Sequence, residues 1–214
     1  MNVPLLRLLL LAALLCPAPL PAQSPEDRPR WHVSAGGGRI TSGAYFTGPG
    51  DLELASAGSA AALAQVSLAF HPRLSAVLAA AYARPEFELT GVPLAGTVGV
   101  PGASLWFADA SVRGWAPLGD RGGAPAAFLS LGLGLARYSL ETSLLGVAVD
   151  ERATNVALAL GAGLVLPIVS RVGVEVTARD YVASFRSVRD LEDFGVEGRR
   201  AHTILLAVSA RVGL

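Results

Sequence analysis

Five charged residues sit among apolar neighbours at strand-like spacing: Asp109, Arg113, Glu175, Arg179 and Arg211. Asp109 and Arg113 are four apart, as are Glu175 and Arg179, so each pair shares one face of an extended segment. Two carboxylates and three guanidiniums can form a buried ion-pair network, since an unpaired charge away from water is costly. Counted from the nearest turn-like stretch, Asp109 and Arg179 lie at similar depth, while Arg113, Glu175 and Arg211 lie closer to their turns. The spacing therefore predicts two tiers, Asp109 with Arg179, and Arg113 with Glu175 and Arg211. The network has two readings: a polar plug that satisfies an interior, or a selectivity constriction or gate in a narrow pore.

A second group is defined by its smallness. Gly132, Gly134, Ala157, Ala159, Gly161 and Gly163 fall on the same side of two neighbouring segments as Phe128 and Tyr138. They either leave room for those rings and the arginines or line a cavity for a small or apolar ligand. The remaining candidates are looser. His202 lies near Ser184, Ser187, Asp193 and Glu197 in the chain, the residue types of a base, a nucleophile and an orienting acid. Their spacing follows no recognisable pattern for that chemistry, and the chain is expected to be non-enzymatic. His32 and His71 have no cluster of further ligands, so neither a metal nor a cofactor is expected. The Gly36-Gly37-Gly38 triplet does not open a helix and is not a phosphate loop.

The elements that must position these residues are strands. From Arg200 to Leu214 every second residue (Ile204, Leu206, Val208, Ala210, Val212, Leu214) is apolar. The alternate set (Thr203, Leu205, Ala207, Ser209, Arg211, Gly213) is mixed and holds a charge, which is a two-residue period. The same alternation recurs from Trp31 to about Ile40, Ser59 to Phe70, Leu74 to Arg84, Ala103 to Ala116, Ala126 to Tyr138, Arg152 to Leu166 and Arg171 to Phe185. That makes eight strands. Their connectors alternate between long (41–58, 85–102, 139–151, 186–199) and short (71–73, 117–125, 167–170). Within the long ones, the apolar stretches Leu89 to Val100 and Leu144 to Val149 suit strands that extend beyond a membrane or a hydrophobic path inward; the first is preferred.

Long-short alternation, an even strand count and strands of the ~9–11 residues needed to cross a bilayer at a tilt point to an antiparallel up-and-down transmembrane β-barrel. After the first residues no apolar run is long enough for a spanning helix, although 52% of the chain is hydrophobic. In lipid, only a closed barrel then satisfies the backbone. The aromatic residues Trp31, Phe70, Tyr82, Trp106 and Tyr181 fall near strand ends, where interfacial girdles are expected.

Residues 1–22 read as a signal peptide: Arg7, an apolar core from Leu8 to Leu15, then Leu20-Pro21-Ala22 as the cleavage site. A short lead (23–30) and one barrel domain (31–214) follow. The lone cysteine, Cys16, lies in the signal, so the mature chain is expected to hold no disulfide. The formal net charge is zero, which gives no support to nucleic-acid binding.

Across residues 31–214 this pattern resembles the small eight-stranded outer-membrane barrels of the OmpA/OmpX/OmpW type. The resemblance is architectural and carries no catalytic motif. That family usually ends in Phe, a place taken here by Leu214. The resemblance implies an integral protein of the bacterial outer membrane that meets outer-membrane lipid and reaches the barrel-assembly machinery through its closing strand. A structural or surface-interaction role is the first expectation, and a narrow pore or carrier for small or apolar solutes the second. An outer-leaflet lipid-modifying enzyme is the third. A secreted lipocalin-like barrel, with every strand turned inside out, is the alternative fold. It would leave the continuous apolar faces Leu129 to Leu135 and Val156 to Leu164 in water.

Overall fold

A computed structural model describes residues 30–43, 46–48, 52–56, 58–92, 96–100, 103–119, 123–144, 147–184, 197–198 and 200–214. The signal segment (1–22), most of the lead, and Ser187 and Asp193 lie outside them. The described strands are β1 (Trp31–Ser42), β2 (Phe46–Gly48), β3 (Leu52–Ser56), β4 (Ser59–His71), β5 (Leu74–Ala83), β6 (Phe87–Val92) and β7 (Gly96–Val100). They continue with β8 (Ala103–Pro117), β9 (Ala126–Leu144), β10 (Val147–Val169), β11 (Val172–Ser184), β12 (Glu197–Gly198) and β13 (Arg200–Gly213).

Eight of them close a barrel in the order β1-β13-β11-β10-β9-β8-β5-β4, every pair antiparallel. Closure is achieved at the β1–β13 seam, which runs in unbroken register from His32↔Gly213 to Ser42↔Thr203. Backbone bonds from Gly213 N to Arg171 O (2.7 Å) and Leu214 N to Trp31 O (2.9 Å) tie down the end of β13. A closed sheet has no edge strand, so the ladder leaves no row of unpaired backbone groups on the wall.

The pleat sends alternate residues in and out, and the burial follows it residue by residue. On β13 the outward residues, from Arg200 to Val212, are exposed, and the inward ones, from Ala201 to Gly213, are buried. Leu129, Leu131, Leu133 and Leu135 on β9, Val156 on β10 and Leu206 and Val208 on β13 belong to a belt of exposed large apolar side chains around the outside. Asp109, Arg113, Glu175, Arg179 and Arg211 turn inward instead, which is the inverse of a water-soluble barrel and excludes the lipocalin-like alternative.

The interior is filled, and it changes character along its length. Towards the short-turn end it is polar: Ser34, Gln65, Ser75, Arg113, Glu175, Ser209 and Arg211 are all buried. Towards the long-connection end it becomes an apolar core that includes Ile40, Leu63, Leu105, Phe107, Tyr138, Tyr181 and Leu205. Trp115 stands at the short-turn end, edge-on to Phe128 at 5.3 Å between centroids, with its indole N–H donating to Ser75 Oγ at 3.0 Å.

Two expectations are corrected. The connector 41–58, read as a loop from the sequence, contains β2 and β3; in 85–102 the stretch Leu89 to Val100, for which strand was the preferred reading, holds most of β6 and all of β7, and these four strands join β12 in a separate five-stranded sheet. The β9–β10 ladder continues into the connector 139–151 as far as Leu144↔Val147, in keeping with the preferred strand reading of Leu144 to Val149. In 41–58 the Gly- and Ser-rich composition hid the strands: β2 and β3 pair locally, and only their contacts with β12 and β6 come from other connectors. Tyr181 is the second correction. It was placed with the interfacial girdle, but it is fully buried and shares the inward parity of Glu175 and Arg179. Trp31, Phe70 and Trp106 do face outward and are exposed.

Candidate functional site: the charged interior

The five charged residues project from three walls of the barrel: Asp109 and Arg113 from β8, Glu175 and Arg179 from β11, and Arg211 from β13. Since β8 and β11 are separated in the sheet by β9 and β10, contacts between them cross the lumen. An eight-stranded barrel is narrow enough for long side chains to do so.

In the tier nearer the short turns, Glu175 is the one carboxylate beside Arg113 and Arg211. Its Oε1 accepts from Arg113 Nη2 at 2.9 Å and from Gln65 Nε2 at 3.0 Å, and its Oε2 accepts from Arg211 Nη1 at 3.2 Å. In the other tier, Asp109 Oδ2 accepts from Arg179 Nη1 and, at 3.0 Å, from the Tyr181 hydroxyl. Tyr181 is fixed in turn by stacking on Phe107, with ring centroids 4.4 Å apart.

Gln65, on β4, joins the tiers. Its carbonyl oxygen accepts from Arg113 Nη2 at 3.0 Å and from Arg179 Nη2 at 2.9 Å, while its amide donates to Glu175 Oε1 and to Ser34 Oγ at 3.4 Å. An amide side chain offers two donors and two acceptor positions, and all four are used. The Gln65 role was missed from sequence: its inward parity was read, but an uncharged residue gave no reason to single it out. Arg113 is held further by the aromatic floor, its guanidinium 3.8 Å from the Phe128 ring centroid and 5.3 Å from that of Trp115. Arg211 lies 4.8 Å from the Trp115 centroid. Guanidinium over an aromatic face is favourable when water is excluded.

The four glycines among the small residues considered as cavity lining are not beside open space. A Cβ on Gly163 would meet the Phe128 ring and the Val176 carbonyl, and one on Gly161 would meet Ser130 Oγ. On Gly132 and Gly134 it would meet Ser111 and Asp109 together with backbone of β8. Glycine here lets neighbouring side chains occupy the lumen. Phe128 lies over Gly163 because nothing larger is there.

His202 meets Asp180, which was not among the groups considered with it. Its Nδ1 lies 2.8 Å from Asp180 Oδ2, and both side chains point out of the barrel. Among the described residues no cluster of three or more His, Cys, Asp or Glu side chains has the arrangement to hold a metal.

Solved structures match this architecture over most of the chain. Neisserial surface protein A superposes with a TM-score of 0.56 at 13% identity, covering 88% of this chain and all of that one. OprG from Pseudomonas aeruginosa gives 0.59 at 9% identity, with 87% and 98% covered. AlkL, determined in lipid bilayers, gives 0.51 at 11% identity, with 92% and 96% covered. The chain has the fold of the small eight-stranded outer-membrane barrels. No protein-family model matches the sequence, and no curated protein matches it. In that fold the apolar belt is the outer face of the wall and the charged tiers fill its lumen.

Proposed function

We propose that this chain is an integral outer-membrane barrel with a sealed lumen, and that its role is structural or surface-directed rather than conductive. The observation that supports this most directly is the cross-lumen network. Three arginines, two carboxylates and Gln65, all buried, bridge β8, β11, β13 and β4, with Trp115 and Phe128 on one side and an apolar core on the other. An ion crossing the barrel would have to break several buried charge-assisted bonds and then cross a dry apolar layer. The extended β9–β10 hairpin and the five-stranded sheet make the long-connection end the surface available to the outside, by the rule that long connections face outward. Membrane lipid around the apolar belt and the assembly machinery at the closing strand are the partners this reading implies.

The test is reconstitution of the purified barrel into planar bilayers. The expectation is a silent membrane. Reproducible unitary conductance would overturn the sealed-lumen reading and favour the narrow pore or carrier for small solutes.

A further inference from the structure

The charges of the lumen do not cancel. Asp109 and Glu175 are the buried carboxylates of the described residues, and Arg113, Arg179 and Arg211 are the buried guanidiniums. Asp109 is matched by Arg179. In the tier nearer the short turns Glu175 faces both Arg113 and Arg211, two positive charges against one negative, so that tier carries a net +1. Gln65 is neutral, and a guanidinium over the rings of Trp115 and Phe128 gains attraction but no counter-charge. An uncompensated charge shielded from water is costly.

The same tier holds donors with no partner in the protein. Arg113 is 1% exposed; its Nη2 serves Glu175 and Gln65, but its Nε–H meets no acceptor. Ser209 is 2% exposed, and its Oγ has no hydrogen-bond partner. It faces inward two residues before Arg211 and pairs with Gly36 on one side and Glu175 on the other. Gly36 has no side chain to cover this hydroxyl: a Cβ there would lie 2.7 Å from Ser209 Oγ. His32 is the diagonal inward neighbour of Arg211, since His32 pairs with Gly213 and Ser34 with Arg211, and its Nδ1 is buried without a partner. Buried polar atoms are rarely orphaned, so a group of them marks a place for water or an ion.

We propose that this tier binds one small monovalent anion such as chloride, the counter-ion that its single carboxylate does not supply. The inference rests on the sealed-lumen reading, because only a desolvated excess charge needs a resident counter-ion. Water satisfies a hydroxyl or an Nε–H but leaves the excess charge in place. A monovalent anion brings the tier to neutrality, whereas a divalent one overshoots it. A halide accepts from several N–H and O–H groups at once, and Arg113 Nε, Arg211 and Ser209 Oγ, all flanking Glu175, are the donors available to it. Arg211, 9% exposed, and the partly exposed Trp115 stand at the short-turn mouth, which gives the anion its way in.

The experiment uses the detergent-folded barrel carrying Trp31→Phe and Trp106→Phe, which leaves Trp115 as its one tryptophan. That ring lies 4.8 Å from Arg211 and 5.3 Å from Arg113, so an iodide bound between them quenches its fluorescence by contact. Iodide is titrated against gluconate at constant ionic strength, and urea midpoints are read in chloride, sulfate and gluconate. SDS gel mobility, boiled against unboiled, checks that each variant is folded. The expected result is saturable quenching that chloride displaces, and a urea midpoint higher in chloride than in gluconate or sulfate. Arg211→Gln brings the tier to neutrality by itself and should weaken iodide about tenfold or more. Ser209→Ala removes a hydroxyl that bonds to nothing in the protein, so it should weaken iodide about threefold while leaving the midpoint in gluconate unchanged. Glu175→Gln adds a second uncompensated charge and should tighten iodide binding. Quenching that stays linear in iodide and equal in Arg211→Gln, or a midpoint that is the same in all three salts, would overturn the site. Equal protection by sulfate would overturn the monovalent counter-ion. Reproducible conductance in planar bilayers would instead remove the sealed-lumen reading on which the inference stands.

Discussion

Glu175→Ala isolates the lower tier of the interior network. The carboxylate is buried and accepts three hydrogen bonds, two of them from guanidinium groups. Its removal leaves Arg113, which is 1% exposed, and Arg211, which is 9% exposed, facing one another without an anion in their tier. Hydrogen bonds to charged groups contribute about 1.5–3 kcal/mol each. Breaking a buried pair by deleting one partner costs about 3–5 kcal/mol, mostly because the other charge stays desolvated. The two routes agree on a loss of about 3–5 kcal/mol, a large part of a typical domain's stability. The assay is urea unfolding of the barrel in lipid vesicles, read from the boiled and unboiled gel bands. Arg113→Ala and the double variant complete a cycle. Because the double variant removes both charges of the closest contact, its loss should be smaller than the sum of the single losses by more than about 1 kcal/mol. A Glu175→Ala loss below about 1 kcal/mol, or additivity within about 0.5 kcal/mol, would refute the claim that these groups act as a desolvated pair.

Gln65→Leu should cost about 2–4 kcal/mol in the same urea assay, because the Arg113 and Arg179 donors and a Glu175 acceptor position lose their partner while staying buried. Gly163→Val places side-chain atoms where the Phe128 ring and the Val176 carbonyl already lie, and should lose about 1–3 kcal/mol with a changed Trp115 fluorescence, since Trp115 packs on Phe128. Leu133→Arg, in the middle of the outward apolar row of β9, should cost about 2–4 kcal/mol in bilayers, whereas Leu118→Arg, exposed in the turn after β8, should cost about 0–1 kcal/mol. Equal losses at the two positions would mean that the belt does not face lipid.

The residue alternation is legible in the sequence because it is local. A strand has a period of two whatever it pairs with, so the inward set on β13 or β9 follows from its own residues. Distance from a turn is also local, which is why Asp109 and Arg179 can be counted to one depth and Arg113, Glu175 and Arg211 to another. The structure brings Asp109 to Arg179 and Arg113 to Glu175 across the lumen, and Arg211 to Glu175 between neighbouring strands. Tyr181 was legible by the same parity, but nearness to a strand end was given more weight than which way the residue points.

What the tertiary structure alone decided depends on closure and register. Gln65 meets both tiers because the β4 wall stands between the arginines of β8 and β11, which no local pattern contains. The five-stranded sheet pairs segments from three separate connectors, and the Asp180–His202 pair requires β11 beside β13. The row Tyr82, Trp106, Arg137 and Thr154 is assembled from four strands, each contributing one residue that is ordinary in its own segment. A sequence determines which face of a strand a residue occupies. The stagger of strands around a closed barrel determines which residues of different strands share a level, and that stagger is a property of the whole ring.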